Sequence, residues 1–567
     1  MANHTLHHLA FLPHPSGLQV PGFSLSSSSS DFPFVPTESS SIMGQLSSII
    51  TVGEHSPTWW AIGVLIVSLA VKITITLING YRTRRLMPPS PPGLPLLGNV
   101  FQLPQFQWHR FTEWKAQYGD LFSLNLAGQP VIVVNSIDVA TDLFDKRSTI
   151  YSDRPPFIMA SEILTGGIFI AFSKYGELWR KLRRAAHEGF NVRACEDYQP
   201  LQEKESARLV NHMLEEPDNW DDHLKRSAAS TVLCATYGWL PLGKEGDPLV
   251  ETINNLMHRL VQACLPGAFL VEIFPSMKHL PTWMAKWKRD GLEYHRKDSI
   301  MFEGFMNDAK DKKEKGTLEP CFAGTLIEDE KKYALTKKEA AWLAGTVFGA
   351  GAETTAAALS VFMLSMTLYP EVMKKAQAQI DAVVGRDRMP TFADREELPY
   401  ITAIVKELHR WRPVGPLGLP RRTMKDDWYN GYFIPAGTLV IANCWAMNRD
   451  PKLFPDFEEF RPERYLDASG KLLEPIAGTH LQGHVTYGFG RRICVGMNLA
   501  NQALFIDIAS MLWATSIERA LDSDGRPVIP SRTDCLDEGL VVRPVPFQCV
   551  IKPRGANVPS LVQSTMQ

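Results

Sequence analysis

The segment Leu335–Tyr369 restricts the fold more than any other part of the chain, because it reads as a single helix too long to sit at an edge. Thr336 with Glu339 three residues on forms a capping-box pattern, and Pro370 stops the run. At 1.5 Å per residue such a helix reaches about 50 Å, enough to cross a whole domain. Its middle is Ala344-Gly345-Thr346-Val347-Phe348-Gly349-Ala350-Gly351-Ala352-Glu353-Thr354-Thr355. Glycine in a helix interior costs close to ~1 kcal/mol relative to alanine. Gly345, Gly349 and Gly351 therefore predict a flat object packed closely against this stretch, and an acid with hydroxyls in the same apolar span predicts a polar task. A helix–helix crossing with Glu353 in a core ion pair is the competing reading.

Composition narrows the class. With 45% hydrophobic and 21% charged residues over 567 positions, the chain is neither collagen-like, coiled-coil nor wholly disordered. Lys+Arg total 59 against 61 Asp+Glu, so charge argues for no nucleic-acid partner. The 8 cysteines show no CxxC pairing, which suits neither a disulfide framework nor a zinc site and fits a reducing compartment.

Residues 1–71 contain no lysine or arginine, and Ser24 with Ser26–Ser30 forms a low-complexity tract. Residues 1–57 cannot bury enough apolar surface to offset their ordering entropy and are expected to be a disordered lumenal segment. Residues 58–79, with Trp59 and Trp60 at one end, are long and apolar enough for a transmembrane signal anchor. A start at Met43 would give that anchor a shorter lead-in. Arg82, Arg84 and Arg85 come directly after the anchor and put the body in the cytosol by the positive-inside rule, while Lys72 can snorkel. Residues 80–99, basic and then proline-rich from Pro88 to Pro95, read as a stiff hinge.

The body, residues 100–555, reads as one large, mainly helical domain with small β-sheets, followed by a flexible tail over 556–567. A hairpin is expected at Leu121–Leu126 and Pro130–Asn135. Helical periodicity marks roughly 175–187, 199–215, 251–263, 284–309, 336–368, 370–384, 398–411 and 495–515. Short strands are expected near 432–434, 438–441 and within 540–551.

Near the C-terminus stands Tyr487-Gly488-Phe489-Gly490-Arg491-Arg492-Ile493-Cys494-Val495-Gly496, ahead of an apolar helix. A cysteine at a helix mouth, behind a glycine-rich turn with two arginines, has its thiolate favoured by the helix dipole and by positive charge. Such a thiolate suits an axial ligand to haem iron, tuned by backbone N–H groups.

This loop resembles the signature F-x-x-G-x-R-x-C-x-G of the cytochromes P450, met at Gly490, Arg492, Cys494 and Gly496, with Tyr487 where phenylalanine is usual and Val495 in place of a common proline. Further motifs of that family appear in order. Glu407-x-x-Arg410 and Pro462-Glu463-Arg464-Tyr465 resemble the elements of a buried Glu–Arg–Arg cluster formed by Glu407, Arg410 and Arg464. Trp179 and Arg183 match the W-x-x-x-R helix, whose side chains the family uses on the haem propionates, as it does Arg492 and a basic residue at the place of Arg421. The proline-rich hinge fits the microsomal class, and the overall style is most like fungal members.

The resemblance implies a cytochrome P450 fold binding haem b, with Cys494 as the iron's axial ligand and Trp179, Arg183, Ala350, Gly351, Arg421, Gly490 and Arg492 about the cofactor. Ala350 and Gly351 would leave room for O2, Thr354 would hold the oxygen ligand and a water, and Glu353 would open a proton path. Activity would be monooxygenation of a lipophilic small molecule, such as a terpenoid, polyketide or aromatic xenobiotic. Electrons would come from NADPH through a separate flavoprotein reductase, docked on a face bearing Arg180, Lys181, Arg184 and Arg491. Location would be the endoplasmic reticulum membrane, single-pass. Desaturation, rearrangement or isomerisation on the same haem is the alternative chemistry, and a non-catalytic haem-binding membrane protein the least favoured. Ile158, Met159, Phe169, Phe348, Leu417, Leu419, Leu540 and Val541 are candidate pocket walls, and 266–274 a short apolar stretch able to touch the membrane surface.

Overall fold

A computed structural model of the chain describes residues 57–239, 241–243, 248–265 and 267–566. The expected disordered segment, Met43 included, lies outside them except for Pro57. The chain divides into a unit ending at Leu77 and a second unit, Ile78–Gln567.

In the first unit begins α1 (Pro57–Leu86), a 30-residue helix. Trp60 and Leu65 are each 69% exposed, and Ile62, Val64, Ile66, Val67 and Val71 are exposed too.

The second unit is mainly helical. Its longer helices are α2 (Gln107–Tyr118), α3 (Glu177–Phe190), α4 (Gln199–Glu215), α5 (Trp220–Tyr237), α6 (Pro248–Cys264), α7 (Lys286–Glu314), α8 (Lys337–Leu368), α9 (Pro370–Val383), α10 (Pro399–Trp411), α11 (Met497–Ala514) and α12 (Val558–Met566). Among the described residues, four small sheets are made by β1 (Leu121–Leu126), β2 (Gln129–Val134), β3 (Arg421–Arg422), β4 (Asp427–Tyr429), β5 (Tyr432–Ile434), β6 (Leu439–Ala442), β7 (Thr515–Arg519), β8 (Cys535–Asp537), β9 (Val542–Pro544) and β10 (Cys549–Pro553). The largest has the order β1-β2-β6-β3, with β1–β2 an antiparallel hairpin and β2–β6 parallel, Val131 opposite Leu439.

α8 is the central post. Its capping box is complete: Glu339 N donates to Thr336 Oγ1 at 3.2 Å and Thr336 N donates to Glu339 Oε2 at 2.7 Å. The helix is apolar and long enough to span a membrane, yet most of it is buried inside the body, which makes it the core of this domain. Its glycines correct one expectation. A Cβ on Gly345 would collide with the Phe302 ring of α7, one on Gly349 would lie 2.5 Å from Met257 Sδ of α6, and one on Gly351 would lie 2.9 Å from Val232 Cγ2 of α5. The missing side chains admit three neighbouring helices, so helix crossing, not a flat object, accounts for them.

Two other expectations change. Within the expected tail, 556–567, the described residues are not loose, since α12 buries Val558 and Val562, four residues apart on one face, in the largest core cluster. α5 escapes a reading by periodicity, because nearly every residue from Leu224 to Tyr237 is buried and the segment therefore shows no one-sided apolar stripe.

Candidate active site

The loop before α11 is shaped by close approach. Gly488 and Gly490 have φ of +78° and +54°, and a Cβ on Gly490 would strike the Phe144 carbonyl, so residue 490 must be glycine. A short 3₁₀ turn, Gly490–Arg492, comes next, and Cys494 N donates to the Tyr487 carbonyl at 2.9 Å. The Cys494 side chain is exposed, yet loss of solvent is the largest influence on its acidity. It opens into a recess enclosed by protein. Burial pushes the thiol up, while the Gly496 N–H and the positive charge of Arg183 pull against that shift.

Around this recess lie arginines that no carboxylate pairs with among the described residues. Arg492 donates from Nε to Ser152 O at 2.8 Å and from Nη2 to Ser173 O at 2.8 Å, and its guanidinium lies 4.3 Å from the buried Trp179 ring. Arg421 donates from Nη2 to Phe489 O at 2.7 Å and leaves Nη1 buried without a partner. Arg183 donates to the carbonyl of Ile493, beside the cysteine, at 2.6 Å. Arg154, which the sequence does not single out, joins them and donates to Leu419 O at 2.6 Å and Pro420 O at 2.7 Å. Burial and mutual repulsion lower the pKa of Arg492 to about 9, burial alone does most of the lowering of Arg421 to about 10, and burial with the charges of Arg492 and Arg421 holds Arg154 well below the usual arginine value. All of their hydrogen bonds go to carbonyls, which orient a guanidinium without neutralising it.

On α8, Ala350 is exposed and Gly351, Glu353 and Thr354 are partly exposed, in the middle of a helix whose interior is mostly buried. These residues mark an internal opening. Thr354 Oγ1 donates back to Ala350 O at 2.8 Å, a bond that a water or ligand can exchange. Burial raises the pKa of Glu353, and the charge of Glu538 on the β8–β9 turn adds to it. Among the described residues Glu353 forms no core ion pair, which sets aside that reading of the acid.

Ion pairing belongs elsewhere. Glu407, fully buried, takes Arg410 in a fork, Nε to Oε2 at 2.7 Å and Nη2 to Oε1 at 2.8 Å, and Arg464 Nε at 3.1 Å. The remaining Arg410 donors reach Asn448 O and Phe457 O at 3.0 and 2.9 Å. Among the expected pocket walls, Ile158, Met159 and Phe169 share one cluster with the partly buried Leu419 and Leu540. Phe348 is fully buried in a different cluster, and Leu417 packs on the sheet.

A thiol beside buried guanidiniums that no carboxylate pairs with, in a body that also holds a buried Glu–Arg–Arg cluster, points to one enzyme family, and the chain belongs to it: residues 88–549 match the profile of the family Cytochrome P450. The chain is 61% identical over 512 residues to cytochrome P450 monooxygenase 58 of Postia placenta, covering 90% of this chain and 96% of that one. A cytochrome P450 monooxygenase of Armillaria gallica is 49% identical over 512 residues, covering 90% and 97%. Cytochrome P450 monooxygenase iboC of Amanita muscaria is 37% identical, covering 86% and 94%. The chain is thus a fungal-type cytochrome P450 monooxygenase, with the mainly helical fold of that family, and the family implies haem and O2.

The residues fit that cofactor. Buried arginines satisfied only by carbonyls, one with an orphaned Nη1, call for an anion, and haem carries two propionates. A thiol opening into the same recess supplies the soft donor that haem iron takes in this family.

Proposed function

We propose that this chain is a membrane-anchored monooxygenase that inserts one atom of O2 into a lipophilic small molecule, a terpenoid or polyketide intermediate or an aromatic xenobiotic. The other oxygen atom leaves as water, using two electrons from NADPH, delivered by a separate flavoprotein reductase, and two protons. The observation that carries this reading is the convergence of the Cys494 thiol with unneutralised Arg421 and Arg492.

Haem, when bound, supplies oxygen activation with Cys494 as its thiolate ligand. The protein does the rest. Arg421, Arg492 and Trp179 would hold the cofactor's propionates, and Gly490 lets the ligand loop pass close to Phe144. Arg183, bonded to Ile493 O beside the ligand, favours the anionic sulfur. Thr354 can trade its bond to Ala350 O for a water, and Glu353, holding its proton more tightly than an ordinary glutamate, can hand one to that water. Ala350, with only a methyl group, keeps the opening free of bulk, while the missing side chain of Gly351 gives room to Val232 of α5.

Bare apolar surface on α1, with Arg82, Arg84 and Arg85 beyond it, supports a single span with the body on the cytosolic face of the endoplasmic reticulum. Exposed Leu270, Ile273 and Phe274 support a lipid-facing side through which an apolar substrate arrives. Exposed Arg180, Arg184 and Arg491 offer an acidic reductase a basic face.

The test is the reduced, carbon-monoxide difference spectrum of membranes carrying the expressed chain. The long-wavelength band of a thiolate-bound haem is expected, and Cys494→Ala should abolish it. An unchanged band in that variant would refute the ligand assignment.

A further inference from the structure

Tyr487 replaces the phenylalanine usual at this place in the family signature, and its hydroxyl turns neither to the thiol nor to solvent. It is half-buried, lying 2.9 Å from His409 Nε2 on α10 and donating to Asn501 Oδ1 on α11 at 2.8 Å. Asn501 Nδ2 donates on to Gln482 Oε1 at 2.8 Å, so the amide turns its oxygen to Tyr487. The single hydroxyl proton goes to Asn501, so His409 Nε2–H must donate to the tyrosine oxygen. His409 Nδ1, without a partner among the described residues, is then a bare acceptor, a smaller cost than a buried unpaired N–H. One directed chain results, His409 to Tyr487 to Asn501 to Gln482. Burial keeps His409 neutral, with its pKa lowered to about 4.

The backbone is stitched at the same place. Thr486 Oγ1 donates to His409 O at 2.6 Å, Asn448 Nδ2 donates to Thr486 Oγ1 at 3.1 Å, and Val485 N donates to Asn448 Oδ1 at 3.0 Å. The Tyr487 carbonyl receives the Cys494 N–H at 2.9 Å. His409 itself stands between Glu407 and Arg410 on a helix that the charge cluster immobilises.

We propose that Tyr487 is a positioning residue for the haem ligand: its hydroxyl clasps the ligand loop to His409 and α11, and its carbonyl passes that constraint to the Cys494 N–H. A phenylalanine would fill the same space but strand the N–H of buried His409, at its full desolvation cost, and take the donor from half-buried Asn501 Oδ1. The proposal rests on Cys494 as the iron ligand.

The experiment compares the full-length holoproteins of the parent, Tyr487→Phe, and the double variant His409→Phe/Tyr487→Phe. Three quantities are read: haem midpoint potential, decay rate of the thiolate-type carbonyl band on warming, and the far-UV unfolding midpoint. Tyr487→Phe should bind haem stoichiometrically, shift the potential, and lose the thiolate band roughly tenfold faster than the parent. The double variant, with the stranded histidine N–H removed, should recover much of that loss. A Tyr487→Phe band that decays at the parent rate, or only in step with a lowered unfolding midpoint, overturns the proposal. A parent without the thiolate band refutes the ligand assignment instead. Asn501→Ala, which removes only the acceptor, serves as the test if Tyr487→Phe does not accumulate.

Discussion

The body buries two groups of arginine and treats them in opposite ways. Around Glu407, the charges of Arg410 and Arg464 are met by a carboxylate, and the spare donors reach carbonyls. Around the cysteine recess, Arg154, Arg421 and Arg492 have carbonyls but, among the described residues, no carboxylate within ion-pair distance, with Asp145 and Asp153 acting only through space. A buried charge without a counter-charge is costly unless something supplies one. The first group is complete in itself and belongs to the scaffold. The second is finished only by an anionic occupant, which is how a receptor differs from a girder.

The comparison breaks hardest at Glu407. Glu407→Gln strands a fully buried Arg410, and a loss of about 3–5 kcal/mol is expected, enough to prevent accumulation of holoprotein. Yield and thermal unfolding measure it, and a variant melting near the parent temperature would show that carbonyls alone suffice. Arg492→Leu should act with the other sign. The haem-free protein gains on the order of 1 kcal/mol as repulsion from Arg421 is relieved, while haem binding weakens roughly tenfold, seen as opposite shifts in a melt and a haem titration. Destabilisation of the haem-free form would place Arg492 with the scaffold.

Asp507 on α11 tests the rule with an acid. Burial raises its pKa from 3.8 to about 8, with Glu205 adding to the effect and Arg226 opposing it. The unfolded carboxyl ionises from about pH 4 upward while the folded one keeps its proton until about pH 8, so the native state loses stability as pH rises through that window, at up to roughly 1.4 kcal/mol per unit. Asp507→Asn should flatten this slope in denaturant titrations taken between those limits, and an unaltered slope would mean that the acid is ionised in the fold. The smallest effect is expected on the surface. Arg184→Glu should reduce reductase-supported turnover a few-fold, with the difference vanishing in high salt. A difference that persists in salt would point away from electrostatic docking.

Much of the site is legible in the chain because its parts are local. The Gly490–Cys494 loop, the Glu407-x-x-Arg410 pair and the capped start of α8 each lie within one turn or helix, where spacing alone fixes geometry. What spacing leaves open is direction. The glycines of α8 announce missing side chains but not that Phe302, Met257 and Val232 occupy the room. Arg154, in Asp153-Arg154-Pro155, looks like any loop arginine, and only the approach of residues 419–421 makes it buried. α5 hides because burial on every side erases the amphipathic stripe, while the Val558–Val562 spacing in α12 is a signal too short to stand out from a tail. The partners of Tyr487 come from α10, α11 and residue 482, and nothing in one sequence links them.

The mixed sheet sets a timetable for folding. β2 lies in parallel beside β6, and Gln129 Nε2 reaches Gly437 O across 308 positions in sequence. During synthesis the β1–β2 hairpin emerges early and then waits, one strand edge bare, until most of the domain has been made. The hazard of this protein is therefore one of sequence in time: translation that stalls between β2 and β6 leaves an apolar edge, Val131 to Val134, ready to pair with the wrong strand, and demand for chaperone protection should peak over that interval.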